Sequence, residues 1–294
     1  MAAYLRRMRY ALNLPIGGPS AHPRRLAEFA ALAEDSGWDA VFVEDYIVYQ
    51  NRQDVPTYDP WVALAAMALA TSRVRLGTMV TPLARRRPWK LAREAVTLDH
   101  LSGGRLILGV GVGDPTDFTF ACFGEETSLS ARAAMTDEAL DILAGLWTGE
   151  PFRFEGRHYR VGEVTCLPPP VQRPRIPIWI GGGHPNPRPL RRAARWDGAW
   201  LYTVTGPGST EDTGGVLSPA DLRAVRREID ARRPDGASFD LVVGGPRRGH
   251  DQERERERLR ASAEAGATWT GEWIPPAEPE VMRAAVARGP LRIR

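Results

Sequence analysis

The residues able to do chemistry in this chain stand where apolar runs stop. Short hydrophobic stretches end in Asn13, in Glu44-Asp45-Tyr46, in Thr78-Met79-Val80-Thr81, in Gly111 to Asp117, in Gly181-Gly182-Gly183-His184, in Tyr202-Thr203, in Gly244-Gly245 and in Glu272-Trp273. The set is rich in glycine, sparing in charge and lacks the paired ligands that a metal site needs. Glycine lets backbone come close to a partner, so this composition suits a flat organic cofactor better than metal-assisted hydrolysis. Gly181-Gly182-Gly183 precedes a helical stretch, and free N–H groups at a helix start attract phosphate. Gly244-Gly245, followed by Pro246-Arg247-Arg248, is a second candidate for an anionic group. GVGVGD at 109–114 is not a dinucleotide fingerprint, because its glycines alternate and lead into Asp-Pro instead of opening a helix. It reads equally as a crowded strand end and as a wall for a ring-shaped ligand.

The elements that must position these residues follow from period and punctuation. RYALNLPI at 9–16 reads as a strand, and His22 to Gly37 as a helix with a glycine stop. WDAVFVED at 38–45 is a second strand, and the helix after it opens on an Asp59 cap with Pro60 at its first position. VRLGTMVTP at 74–82, the helix PWKLAREAVTLDHLSGG and RLILGVGVG at 105–113 continue the alternation. A long helix from Ser128, a small hairpin in FRFEGRHYRV at 152–161, and strands at 176–183, 198–204, 240–245 and 267–274 with helices between them complete it. Eight strands alternating with eight helices, several strands being continuous apolar runs, predict buried parallel strands with right-handed crossovers. The economical solution is an α/β protein built as one (β/α)8 TIM barrel over residues 1–294, with a doubly wound sheet as the alternative. The connection 114–175 exceeds an ordinary βα loop, so an insertion after strand four is expected over the barrel mouth. In such a barrel the carboxyl ends of the strands converge, which gathers the residues named above into one site.

Composition excludes several other classes. The longest apolar runs fall short of the roughly 18 residues of a membrane span, and the start has no apolar core of signal-peptide length, so a cytoplasmic protein is expected. Cys122 and Cys166 are isolated, which argues against a disulfide scaffold or a zinc site. The 39 basic residues are nearly matched by 36 acidic ones and are scattered, so no nucleic-acid footprint is expected. DQERERERLR reads as a solvated helix face with Glu253–Arg256, Glu255–Arg258 and Glu257–Arg260 pairs.

Four stretches in order carry a resemblance over nearly the whole chain: residues 76–114, the FVED strand end, LWTGEPFRFEGRHYRV, and RPRIPIWIGGG with RRAARWDGAW. Together they resemble the luciferase-like flavin-dependent oxidoreductases, which include bacterial luciferase, alkane and sulfonate monooxygenases, and enzymes of the deazaflavin coenzyme F-420. The resemblance implies a flavin at the barrel mouth, with a non-prolyl cis bulge at Met79-Val80 behind its ring and Gly111 and Gly113 as the adjacent wall. Asn13, Thr78, Gly181, Gly182, Gly183, Gly244 and Gly245 would complete the cofactor site. Family members commonly place a histidine, or an Asp-His pair, at the end of strand two. Here Asp45 and Tyr46 take that place as acceptor and donor, with Asp114 as a further candidate acid and Asp117 as either an acid or a turn residue.

Arg85 to Arg87 would be a solvated helix entrance or an anion site, and His184 a phosphate or substrate contact or a surface residue. Trp200, Tyr202, Trp269 and Trp273 would either line an apolar substrate pocket or belong to the barrel core. The implied activity is oxidation of a small organic substrate by dioxygen with reduced FMN supplied by a separate flavin reductase. Hydride transfer with coenzyme F-420 is the alternative. A third reading is a non-catalytic flavin-binding barrel, kept open by the missing histidine and the short strand-six loop TGPGSTEDTGG. A homodimer through helices two and three is implied as well, with no nucleic-acid or membrane partner.

Overall fold

The computed structural model describes residues 8–203, 215–234, 237–245 and 251–293. Most of the strand-six loop, and Pro246, Arg247 and Arg248, lie outside the described residues. Alternation along each strand decides how it is used. In β1 (Arg9–Leu14) Ala11 enters the barrel interior while Leu12 and Leu14 join the layer under the helices. In β2 (Ala40–Val43) Ala40 and Phe42 go inward, Val41 and Val43 outward. The chain continues with β3 (Arg75–Pro82), β4 (Leu106–Gly111), an antiparallel hairpin of β5 (Phe152–Glu155) and β6 (Arg160–Val164), then β7 (Ile178–His184), β8 (Gly198–Thr203), β9 (Asp240–Gly245) and β10 (Trp269–Trp273). Apart from the hairpin the strands close in the order β1-β10-β9-β8-β7-β4-β3-β2, every neighbour parallel.

The barrel floor is packed, not open. Phe42, Ile107, Trp179, Val242 and Trp269 fill it, with Trp179 and Trp269 edge to face at 5.2 Å. Arg9 lies 4.3 Å over Trp269 and pairs with Asp240 at 2.7 Å, so one cation closes the amino-terminal end. Of the two readings open for Trp269, core holds: it opens β10, and pockets in barrels form where strands end.

The outer layer comprises α1 (Pro23–Asp35), α2 (Pro60–Ala70), α3 (Pro88–Ser102), the single turn α4 (Thr119–Cys122), α5 (Leu129–Leu146), α6 (Pro187–Ala193), α7 (Pro219–Asp230), α8 (Gln252–Glu264) and α9 (Pro279–Ala287). The Asp59 cap forms as expected, its carboxylate accepting from Val62 N at 2.9 Å. The insertion follows β4, yet most of it does not cover the mouth. Leu140, Ile142, Leu143 and Leu146 of α5 are buried in the core, where the helix packs against α3 and the hairpin strand β5, because an apolar helix face must be covered. The proline-rich return is pinned to α3, where Asp99 accepts from Val171 N at 2.8 Å and Gln172 N at 3.1 Å. Only the stretch around α4 reaches the mouth side. On α8, Glu253–Arg256 and Glu255–Arg258 pair as predicted, but Arg260 reaches Glu253 at 3.2 Å instead of Glu257. Seven residues make nearly two full turns and return to the same face. Among the described residues no helix is long and apolar enough to cross a membrane.

Candidate functional site

The inward positions of each strand, followed to its carboxyl end, give the mouth. Ala11 leads to Asn13, Ala40 and Phe42 lead to Glu44, and Trp269 and Gly271 lead to Trp273. Asn13 pairs in register with Trp273 on one side and Phe42 on the other, which makes β10, β1 and β2 a continuous polar arc. Tyr49, from the single turn after β2, is buried beneath it with 1% of its surface exposed. Asn13 Oδ1, Glu44 Oε2, Tyr49 OH and Trp273 Nε1 are all buried without a hydrogen-bond partner. Tyr49 and Trp273 turn their donors toward the Glu44 carboxyl, and the hydrogen-bonding capacity these four atoms still hold is gathered on one arc at the strand ends.

Electrostatics set this arc apart. Burial pushes the Glu44 carboxyl from 4.5 up to about 7, even though Tyr49 and Trp273 lie on the side that favours its charge. Neither of them completes a hydrogen bond of good geometry to it. Burial, and after it the Glu44 charge, raises the phenols of Tyr46 and Tyr49 well above the ordinary tyrosine range, so both stay protonated at neutral pH.

The opposite arc, β3-β4-β7, is apolar backbone. β3 pairs Thr78 with Leu108 and resumes at Thr81 with Val110, so it carries one residue more than β4. The resulting bulge holds Met79 and Val80 at the mouth, and the peptide between them is cis. Polar groups lock the bulge from behind. Thr78 Oγ1 donates to Gly109 O at 2.9 Å. The Thr81 hydroxyl lies 2.8 Å from Asp45 Oδ2 and 3.0 Å from Thr78 Oγ1, donating to one of them at a time. Arg86 then grips Asp45 with two nitrogens, Nε to Oδ2 at 3.1 Å and Nη2 to Oδ1 at 2.9 Å. Burial alone would lower the Arg86 guanidinium, but the Asp45 charge outweighs it and the net shift is upward.

The glycines of this arc are explained largely by Val80. A Cβ on Gly111 would sit 2.8 Å from Val80 Cγ2, and one on Gly181 would sit 2.6 Å from Val80 Cγ1. Gly113 has a positive φ of +84° and a Cβ there would meet Phe120 at 2.6 Å. Gly182 is closed in the same way by Pro189 at 2.3 Å. Of the two meanings open for the strand-four glycines, crowding holds at these positions. At Gly244 the nearest atom to an added Cβ is Trp200 Nε1 at 3.3 Å, the least crowded of the candidate glycines measured. Gly183 and Gly245 lie in register with Tyr202 and Glu272 respectively, at the last turns of their strands.

Several expected roles change in this geometry. Asp45 is not a free acid, since both oxygens are committed to Arg86 and one also faces Thr81. Its odd parity with Val41 and Val43 turns it away from the barrel interior. Asp114 is exposed and caps its own turn, accepting from Thr116 N and Oγ1, both at 2.7 Å. Tyr46 is half-buried and packs edge to face on Tyr49 at 5.4 Å. Arg85 and Arg86 are neither solvated nor free for an anion. Arg85 pairs with Asp117 at 3.1 Å and covers Phe120 at 4.6 Å, and only Arg87 is exposed. His184 is half-buried with Nε2 3.6 Å from Asp221 Oδ1. Glu44, named at the strand-two end without a role, is the carboxyl that faces inward, and alternation carries the signal: counting by twos from Ala40 through Phe42 reaches it on the inward face.

The sequence model of the luciferase-like monooxygenases matches residues 8–289. An F-420-dependent glucose-6-phosphate dehydrogenase of Nakamurella multipartita is 35% identical over 229 residues, 74% of this chain and 64% of that protein. A protein of the same description from Kineococcus radiotolerans is 36% identical over 75% of this chain and 63% of its own length. The matched part of the chain thus spans less than two thirds of these relatives. Among solved structures, an F-420-dependent secondary alcohol dehydrogenase in complex with an F-420–acetone adduct superposes with a TM-score of 0.76 at 16% identity, covering 98% of this chain and 99% of the other. A monooxygenase from Streptomyces bottropensis gives 0.71 at 21% identity, covering 95% and 96%. At these identities the structural likeness establishes the barrel fold.

Proposed function

The chain belongs to the luciferase-like monooxygenase family, and from that premise we propose that it is an oxidoreductase transferring hydride between coenzyme F-420 and a small organic substrate. The observation that carries this reading is the locked bulge: an apolar shelf of Met79 and Val80, fixed from behind by Thr78, Thr81, Asp45 and Arg86, across the mouth from buried polar groups of β10, β1 and the segment after β2. A planar ring with one polar edge fits between two such arcs. Met79 and Val80 would support its face, and Asn13 and Trp273 offer an acceptor and a donor for its edge. When bound, a deazaflavin supplies a hydride donor or acceptor. Trp200, Tyr202 and Trp273 would exclude water around the reacting atoms.

The relatives at 35% and 36% identity are F-420-dependent by description, which shifts the weight from reduced FMN, the first expectation, to the deazaflavin alternative. With F-420 as carrier, a separate flavin reductase is not needed. A buried carboxyl kept unpaired at the mouth favours an enzyme over a passive flavin store. The homodimer is kept as part of the proposal, with the exposed Val62 and Leu69 of α2 as its contact. The deciding test is an anaerobic titration with F-420 and with FMN, each oxidised and reduced, followed by air. Selective F-420 binding with no oxygen adduct is the expected result; binding of reduced FMN with a transient oxygen adduct would return the chain to the monooxygenases.

A further inference from the structure

Hydride transfer to or from a carbon bearing oxygen also moves one proton at that oxygen, and the strand-two end, Glu44-Asp45-Tyr46, holds no imidazole to take it. We propose that Glu44, with Tyr49 beside it, exchanges that proton with the substrate, and that the reacting end of the substrate is an uncharged hydroxyl or carbonyl. This rests on the hydride-transfer reading above.

Asp45 is held bidentately by Arg86, Asp117 is paired with Arg85, Glu272 pairs with Arg288 at 2.8 Å, and Asp114 is an exposed turn cap. His184 sits on the glycine arc beside Asp221. Glu44 lies on the inward face, 9% exposed, with Tyr49 OH and Trp273 Nε1 turned toward it and Asn13 Oδ1 on the same arc. With Asn13 and Trp273 given to the ring edge, Glu44 Oε2 and Tyr49 OH present an acceptor and a donor to the substrate, which complements a hydroxyl or carbonyl, needing both kinds of partner or a donor alone. A second anion beside a buried carboxylate would be strongly opposed, and the Arg85 and Arg86 guanidiniums that could offset it are already committed.

In the oxidative direction the carbinol C–H would break, and a bound oxidised deazaflavin would supply the two-electron acceptor for its hydride. The O–H proton goes to the Glu44 carboxylate, and the C–O single bond becomes C=O. Reduction of the carbonyl reverses each transfer and takes the proton from Glu44.

The titratable groups facing Glu44 are the phenols of Tyr46 and Tyr49, both raised and protonated at neutral pH, so only Glu44 changes charge on this arc near pH 7. Three measurements on the full-length protein test the proposal. First, the protonated-carboxyl infrared band of the ligand-free protein should titrate with a midpoint near 7 and vanish in Glu44→Gln. In Tyr49→Phe the midpoint should move up, because Tyr49 lowers the Glu44 value. Second, F-420 should bind wild type and Glu44→Gln within about two-fold. Third, with F-420 and cyclohexanol or glucose 6-phosphate as probe, kcat/KM should rise with pH through the same midpoint, and Glu44→Gln should lose that limb with about a 100-fold or greater fall.

Wild type that binds no F-420 removes the proposed function and this step together. F-420 binding with full turnover in Glu44→Gln removes the step alone, as does a Glu44→Gln defect confined to F-420 affinity. F-420 binding with neither alcohol oxidised overturns the substrate class.

Discussion

Replacing Glu44 with glutamine keeps the shape of the side chain and removes its titration, so it isolates the cost of holding a carboxylate at the mouth. The folded-state value of about 7 stands above the ordinary 4.5, which means that the folded protein holds this proton more tightly than the unfolded chain. Below pH 4.5 both states are protonated and the group exacts no ionic penalty. Between 4.5 and 7 the unfolded chain ionises while the folded one does not, so stability is lost as pH rises, by at most about 1.4 kcal/mol per pH unit. Above 7 the loss levels off near 3 kcal/mol, roughly 2.5 units at 1.36 kcal/mol each. Glu44→Gln has no such slope. The difference in unfolding free energy, variant minus wild type, should therefore grow by about 3 kcal/mol between pH 4 and pH 8. Urea unfolding followed by tryptophan fluorescence at half-unit pH steps measures it, with hydrogen exchange of core amides as a check that does not require refolding. A difference that stays flat across this range, or falls, refutes the claim that Glu44 is buried with a raised affinity for its proton.

The shelf gives three more expectations. Gly181→Ala puts a methyl 2.6 Å from Val80 Cγ1 and should cost about 1–3 kcal/mol, and adding Val80→Ala should restore much of that loss in a double-mutant cycle by thermal or urea denaturation. Asp45→Asn leaves Arg86 largely buried beside a neutral amide; a destabilisation of roughly 3 kcal/mol is expected at pH 7, whereas a loss of activity without loss of stability would restore Asp45 as an acid. Asp114→Ala should change stability by about 1 kcal/mol or less and leave turnover within a few-fold, because its carboxylate serves an exposed turn, and a large fall in kcat with F-420 would contradict this.

Much of this protein could be read from residue order. The apolar runs, the Asp59-Pro60 helix start and the spacing of strands and helices determined an eight-stranded parallel barrel. That fold alone sends the site to the strand ends, and the LGTMVTP stretch, through its family resemblance, located the bulge at Met79-Val80. Alternation even contained the choice of Glu44 over Asp45, because a one-residue step in a strand changes which face a side chain serves. What residue order did not contain was which charges are spent. Asp45 meets Arg86 and Thr81, and Asp117 meets Arg85, across separations of 41, 36 and 32 residues. Val80 is what keeps Gly111 and Gly181 small, and Tyr49 and Trp273 come to Glu44 from neighbouring and sequence-distant elements. Periodicity reports which side of its own element a residue occupies. Only barrel closure decides which side chains then stand within a few ångströms, and the Coulombic and desolvation energies that separate a spent carboxylate from a working one act over that distance alone.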